Sequence, residues 1–172
     1  GEHTDYNGGY VFPAAIELGT YGLVSKRDDK HIRMYSNNFE QQGVLEMELD
    51  ALDYDAQHDW GNYPKGMVYY LKQQFPELDH GFDMLIEGNI PNGASLSSSA
   101  SIELLTGWLM KSLFELDIDR LSLIKMGQRV ENQYIGVNTG IMDQFIIGMG
   151  KQDHAILLDT ASLNYHYVPT EF

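Results

Sequence analysis

The sequence predicts one domain in which an antiparallel sheet is joined to amphipathic helices, and three observations support this fold. Short runs rich in β-branched and aromatic residues follow one another between residues 10 and 49, with turn-forming residues between them. Later segments carry apolar residues at helical spacing. The length of 172 residues is enough for one compact domain with a core and short for two.

The predicted strands come first in the chain. The runs are VFPAAIEL, TYGLVSKR, HIRMYS and VLEMEL, and a curved antiparallel sheet is the expected arrangement. Apolar and acidic residues alternate in VLEMEL, which predicts one solvent-facing side for that strand. GFDMLIEGN predicts a further strand, and HAILLD and NYHYVP predict two final ones.

The stretch ALDYDAQHDW predicts a solvated connection with His58 at the surface. A helix is predicted next, with Pro64 in its first turn, where the missing N–H of proline costs nothing. Its apolar residues at helical spacing are Trp60, Tyr63, Met67, Tyr70, Leu71 and Phe75. On spacing alone, Trp60 and Tyr63 are interpreted as core residues.

A serine-rich stretch, IPNGASLSSSAS, separates the strand GFDMLIEGN from a long helix with an apolar face. The residues of that face are Ile102, Leu105, Leu109, Leu113 and Leu116. Exposed amides and the positive end of the helix dipole favour an anion, and serine hydroxyls can donate to phosphate or ligate Mg²⁺. An ordinary loop ending in a serine N-cap explains the pattern equally well. A Walker motif is excluded, because no GK[ST] follows the glycine.

A third helix is predicted over RLSLIKMGQRVENQYIG, with Asp119 as its N-cap. The expected inner face consists of Leu123, Met126, Val130 and Tyr134. Glu131 falls one step off that apolar stripe, where a solvated side chain is the ordinary expectation. Asp143 lies in the otherwise apolar run IMDQFII, and a buried carboxylate there would need a partner.

The first nine residues, GEHTDYNGG, concentrate polar side chains in a turn-forming stretch. Glu2, His3 and Asp5 fit either a solvated turn or a site for a polyhydroxyl ligand, since carboxylates accept hydroxyl hydrogens well. A metal site is the weaker interpretation, because a second histidine at ligand spacing is missing from this stretch.

Composition excludes several classes of function. With 25 acidic against 11 basic residues the net charge is −14, which argues against nucleic acids and anionic membranes as partners. A small phosphate ligand remains compatible, because local amides and a divalent cation can hold it. The absence of cysteine excludes thiol chemistry and indicates a reducing compartment, and we expect the cytoplasm. No apolar run approaches the roughly 18 residues that span a bilayer.

Three separated motifs together resemble one family. Residues 1–13, GEHTDYNGGYVFP, resemble the galactokinase signature. Residues 91–101, PNGASLSSSAS, resemble the phosphate loop of the GHMP kinase superfamily, which includes homoserine, mevalonate and phosphomevalonate kinases. Residues 136–145, GVNTGIMDQF, are similar to the galactokinase segment that carries the catalytic aspartate. Their order and separation also fit, so residues 1–172 resemble the N-terminal domain of a bacterial-type galactokinase, cut at both ends.

This resemblance implies an α+β fold, with a two-layer mixed sheet packed on helices as in ribosomal protein S5 domain 2. It implies ATP-dependent phosphorylation of the anomeric hydroxyl of galactose, with ATP and Mg²⁺ as cofactors and a monomeric longer protein. The implied sugar-binding residues are Glu2, His3, Asp5 and Gly140, and Asp143 is the implied catalytic base or orienter. The implied nucleotide-binding residues are Trp60, Tyr63, Gly93, Ala94, Ser95, Leu96, Ser97 and Ser98. Ser99 and Glu131 are the implied Mg²⁺ ligands.

Departures from the family pattern define the alternatives. Ser95 stands where the family usually has glycine, and Thr139 replaces a common cysteine. The family's catalytic arginine lies before residue 1 and its third motif beyond Phe172, so we expect this chain alone to turn over little or not at all. A regulator that binds galactose and ATP without chemistry, and a kinase for N-acetylgalactosamine or arabinose, are the alternatives. The intact SSSAS run and Asp143 favour the enzyme.

Overall fold

The computed structural model describes residues 20–88, 98–137, 154–158 and 165–169, and the account below refers to those residues. The strands are β1 (Thr20–Lys26), β2 (His31–Ser36), β3 (Leu45–Glu48), β4 (Phe82–Gly88), β5 (His154–Leu158) and β6 (Tyr165–Pro169). The α-helices are α1 (Asn62–Gln74), α2 (Ser98–Phe114) and α3 (Arg120–Arg129). Two 3₁₀ segments, Asn37–Gln42 and Ala56–Gly61, precede β3 and α1, and a π-turn, Val130–Ile135, follows α3. The predicted run VFPAAIEL lies outside the described residues.

Four strands form a mixed sheet in the order β1-β4-β2-β3. The pairs β1–β4 and β2–β3 are antiparallel, whereas β2 and β4 are parallel. The mixed sheet implied by the resemblance is therefore confirmed, and the purely antiparallel arrangement expected from the early strands is wrong. The reason is that β4 comes later in the chain, after a crossover through α1, and inserts between β1 and β2. The two final predicted strands, β5 and β6, pair antiparallel in a second sheet.

One face of the four-stranded sheet contributes buried residues to the core. On β4, Phe82, Met84 and Ile86 are buried, while Leu85 and Glu87 on the opposite face are exposed. Ile32 and Met34 on β2 and Val24 on β1 are fully buried on the same side. This alternation follows from the strand period of two residues and leaves the other face of the sheet towards solvent.

The helix α2 lies at the centre of the helical layer. It packs against β1 on one side and against α1 and α3 on the other. Its apolar face was predicted correctly, but Glu103 and Thr106 are fully buried as well, because α1 and α3 cover the side expected to face solvent. The contact with β1 is close: a Cβ at Gly22 would lie 2.7 Å from Leu109 Cδ1. Within the described ranges, no helix is long and apolar enough to cross a membrane.

Local signals set the ends of the other two helices. Asp119 caps α3 as predicted, since its carboxylate accepts a hydrogen bond from the Ser122 amide at 2.7 Å. Pro64 lies in the first turn of α1, also as predicted. Trp60 precedes α1 instead of lying on it, because the neighbouring Asp59 has a φ of 47° and breaks the helical path.

Two neighbouring residues of β4 test the assignment of the core face. Ile86→Ala should lower the free energy of unfolding by about 2–4 kcal/mol, because it leaves a cavity between the sheet and α2. Leu85→Ala, on the solvent face of the same strand, should cost less than about 1 kcal/mol. Urea denaturation followed by tryptophan fluorescence measures both. Equal losses for the two variants would contradict the described orientation of the sheet.

Candidate active site

The structure describes five of the residues implied for the site. Trp60 lies before α1, and Tyr63 lies in the first turn of that helix. Ser99 lies in the first turn of α2, and Glu131 lies in the π-turn. Ser98 is described as the first residue of α2. The remaining ones, Glu2, His3, Asp5, Gly93, Ala94, Ser95, Leu96, Ser97, Gly140 and Asp143, lie outside the described residues, so their roles stay predictions.

Ser99 and Glu131 meet although they are far apart in sequence. The Ser99 hydroxyl donates a hydrogen bond to Glu131 Oε1 at 3.1 Å. Ser99 is half-buried and Glu131 is only 6% exposed. A hydroxyl and a carboxylate side by side form an all-oxygen donor set, which is the kind of ligand that Mg²⁺ prefers. The residues present therefore fit the divalent cation that the resemblance implies.

Glu131 is buried near the beginning of a π-turn. The sequence predicted a regular helix through residue 136, but α3 ends at Arg129 and the wider π-turn follows. The Gly136 amide donates to the Glu131 carbonyl at 2.9 Å, which is the i→i+5 bond of a π-helix. Such a turn takes up an extra residue and rotates the residues within it relative to the preceding stripe. The expectation of a solvated Glu131 is wrong, because Glu131 lies on the same side of the helix as the buried Ile124 and Gly127, at helical spacing.

A second carboxylate, that of Glu103, lies in the same region. Glu103 is fully buried and follows Ser99 by one helical turn, so both are on the same side of α2. Burial, then the carboxylates of Glu131 and Glu103, raise the pKa of the Tyr63 phenol. Tyr63, Glu103 and Glu131 therefore share one electrostatic environment at the junction of α1, α2 and the π-turn. Sequence reasoning missed Glu103, although a carboxylate inside the apolar run SIELL was a usable signal.

Trp60, which precedes α1, lies in the core. Its indole is 2% exposed and stacks on Phe39, with ring centroids 5.6 Å apart and planes inclined by 7°. The interpretation of Trp60 as a core residue is confirmed, and Tyr63 is half-buried. The indole Nε1 is buried without a hydrogen-bond partner among the described residues. Phe39 was not singled out in the sequence, because its stacking depends on a long-range approach.

A buried lysine fastens the segment that leads to Trp60. Lys65 is fully buried, and its Nζ donates to the Asp53 carbonyl at 2.7 Å and to His58 Nδ1 at 2.8 Å. His58 was expected at the surface, and its side chain is 22% exposed within a mostly exposed connection, which fits that expectation. Its Nδ1 contacts Lys65 on α1. Burial and the Lys65 charge lower the pKa of His58, and Asp55 opposes this shift.

Metal binding by protein side chains alone finds no support in the described ranges. No group of three or more histidine and carboxylate side chains in this part of the chain is arranged to hold a metal ion. Ser99 and Glu131 would therefore supply only part of a coordination shell. Mg²⁺ sites commonly have this form, with one or two carboxylates completed by water and substrate phosphates.

Comparisons with known proteins show which families and solved structures the chain resembles. Residues 62–151 match the GHMP kinases N terminal domain, and residues 1–26 match the galactokinase galactose-binding signature. The chain is 70% identical to galactokinases of Staphylococcus carnosus and Staphylococcus saprophyticus over 172 residues. A crystal structure of Lactococcus lactis galactokinase complexed with galactose is similar, with 53% identity, a TM-score of 0.86 and 99% of this chain covered. The chain spans 44% of the S. carnosus and L. lactis proteins and 45% of the S. saprophyticus one.

Protonation of His58 should weaken the segment before α1. The pKa of His58 is lowered in the folded protein, so its contribution to stability is complete above the usual value of 6.5 and is lost as the pH falls towards the folded value. We expect His58→Gln, which keeps an acceptor for Lys65, to remove roughly 1 kcal/mol or less of this acid sensitivity. The measurement is the difference in the free energy of unfolding between the unaltered protein and His58→Gln, obtained by urea denaturation between pH 5 and 8. Parallel pH profiles would rule out the Lys65–His58 contact as the cause.

Proposed function

Because the chain belongs to the GHMP kinase family, we propose that the protein that contains it is an ATP-dependent galactokinase, with residues 1–172 in its N-terminal domain. The observation that carries this proposal is the meeting of Ser99 and Glu131 at the beginning of α2. The galactose-binding signature at residues 1–26 and the high identity to galactokinases support galactose as the sugar. The product would be galactose 1-phosphate.

The described residues suit phosphoryl transfer, which depends on positioning and on neutralising phosphate charge. The first turn of α2, a 17-residue helix, carries the positive end of the helix dipole and follows residues 93–97 directly in the chain. We propose that residues 93–98 wrap the phosphates of ATP. Ser99 and Glu131 would hold Mg²⁺, which when bound neutralises charge on the phosphate oxygens. Tyr63 would line the adenine pocket, with Trp60 supporting it from the core.

The sugar side of the site rests on the resemblance and on the signature match. We propose that Glu2, His3 and Asp5 accept and donate hydrogen bonds to sugar hydroxyls, with Gly140 contributing its backbone. Asp143 would lie within hydrogen-bond reach of the anomeric hydroxyl and take up or orient its proton. Two carboxylates then have different tasks, because Glu131 serves the metal and Asp143 serves the nucleophile.

A sugar panel tests the proposed reaction. Full-length protein should release ADP with galactose as the preferred substrate among galactose, N-acetylgalactosamine, arabinose and mevalonate in a coupled assay. Asp143→Ala should abolish turnover while galactose binding stays measurable by calorimetry, because that carboxylate acts on the proton and not on affinity alone.

Each other result of the panel points to a different function. Preference for another sugar would replace the substrate assignment. Binding of galactose and ATP without ADP release by the unaltered protein would indicate a regulator. Near-normal turnover of Asp143→Ala would exclude the role given to that residue.

Glu131→Gln should raise the Mg²⁺ concentration needed for half-maximal activity. The loss of one charge-assisted contact, about 1.5–3 kcal/mol, corresponds to roughly tenfold or more. Glu77→Gln, at an exposed position after α1, is the matched control and should leave the titration unchanged. If both variants titrate like the unaltered protein, Glu131 is not a metal ligand.

A further inference from the structure

The π-turn that carries Glu131 contacts α1 at a residue without a side chain. A Cβ at Gly66 would lie 2.6 Å from Val130 Cγ1 and 2.8 Å from Tyr134 Cδ1. Both distances are shorter than van der Waals contact, so the helix and the turn approach this closely only because position 66 is glycine. Val130 is fully buried and has no free space into which to withdraw.

Tyr134 fixes the other end of the same turn. Its hydroxyl donates to the Leu52 carbonyl at 2.5 Å, in the segment that follows β3. Its ring contacts those of Tyr54, Tyr69 and Tyr70, with centroids 6.0, 5.3 and 6.4 Å away. Contacts of this kind restrict both the position and the tilt of the ring. Tyr134 therefore ties the turn both to α1 and to the chain that precedes it.

Backbone hydrogen bonds transmit this placement to Glu131. The Glu131 carbonyl accepts from the Gly136 amide at 2.9 Å and from the Val137 amide at 2.8 Å. Gly136 closes the turn with a φ of 93°, in the left-handed region. The main chain of Glu131 is thus fixed by the turn, and its side chain reaches Ser99 on α2. A shift of the turn along α1 would change that distance directly.

We propose that Gly66 and Tyr134 are positioning residues for the Ser99–Glu131 pair. Neither is placed against a reacting atom; they set the distance between the π-turn and the first turn of α2. This inference rests on the proposed function, because it takes Ser99 and Glu131 as ligands of the divalent cation. Residues that orient ligands from behind commonly change metal affinity by about 10- to 100-fold when they are replaced.

The test compares two pairs of variants in the full-length protein. Gly66→Ala is matched with Gly107→Ala, where a Cβ would meet Leu123 Cδ2 at 2.8 Å on α3, away from the π-turn. Tyr134→Phe is matched with Tyr69→Phe, which removes a hydroxyl from the same aromatic cluster without removing the bond to Leu52. Mn²⁺ binding is followed by electron paramagnetic resonance with a non-hydrolysable ATP analogue, and galactose binding by calorimetry.

We expect Gly66→Ala and Tyr134→Phe to weaken Mn²⁺ binding by about tenfold or more, and the two controls by less than about twofold. Galactose affinity should stay within about twofold in all four variants, because the substitutions disturb only the metal ligands and not the sugar-binding residues. Hydrogen exchange at the Gly136 and Val137 amides should become faster in Gly66→Ala but not in Gly107→Ala. If Gly66→Ala does not fold, the difference in Mn²⁺ affinity between Tyr134→Phe and Tyr69→Phe tests the positioning role.

The outcomes separate this inference from the proposed function. Equal Mn²⁺ affinity in each variant and its control would overturn the positioning role, whatever the enzyme does to sugars. Absence of Mn²⁺ binding by the unaltered protein would overturn it as well. Normal Mn²⁺ binding by the unaltered protein without phosphorylation of any sugar would reject the galactokinase assignment, and the same titration would still decide the roles of Gly66 and Tyr134.

Discussion

The hydrogen bond between Ser99 and Glu131 is the constraint on which the rest of the site depends. It joins the first turn of α2 to a turn that follows α3, and it keeps a carboxylate where only 6% of the residue is exposed. Removing an ionised carboxylate from water costs several kcal/mol unless nearby groups or a cation compensate. A rigid framework is needed to hold the two ends together, and the core supplies it, because α2 is packed between the sheet, α1 and α3.

Most of the secondary structure could be predicted because its signals are local. HIRMYS forms β2, and Asp119 caps α3, as the residue patterns indicate. The order of the strands could not be read in the same way. Insertion of β4 between β1 and β2 depends on which strand can bury one face while pairing on both edges, and this is a property of the assembled sheet. The resemblance implied the mixed sheet, whereas the strand patterns alone favoured an antiparallel one.

The same distinction between local and long-range information applies to the candidate site. Ser99 and Glu131 were paired through the resemblance, while periodicity alone placed Glu131 in solvent. Glu131 continues the buried positions Ile124 and Gly127, a second row that the apolar stripe from Leu123 to Tyr134 did not include. The buried charges of Lys65 and Glu103 were missed for a related reason. Each lies off the apolar residues used to predict its helix and is fully buried in the assembled fold.

One stretch of the chain after α3 carries residues proposed for both the metal side and the sugar side of the site. The π-turn fixes Glu131, closes at Gly136 and continues through Val137 into the residues that carry Gly140 and Asp143. A kinase and a non-catalytic regulator would both need the pair of Ser99 and Glu131, because both bind a nucleotide. The distinction between them falls on Asp143, the carboxylate that we propose acts on the sugar. The contacts that anchor the π-turn to α1 therefore act on Glu131, on the metal side of the proposed site.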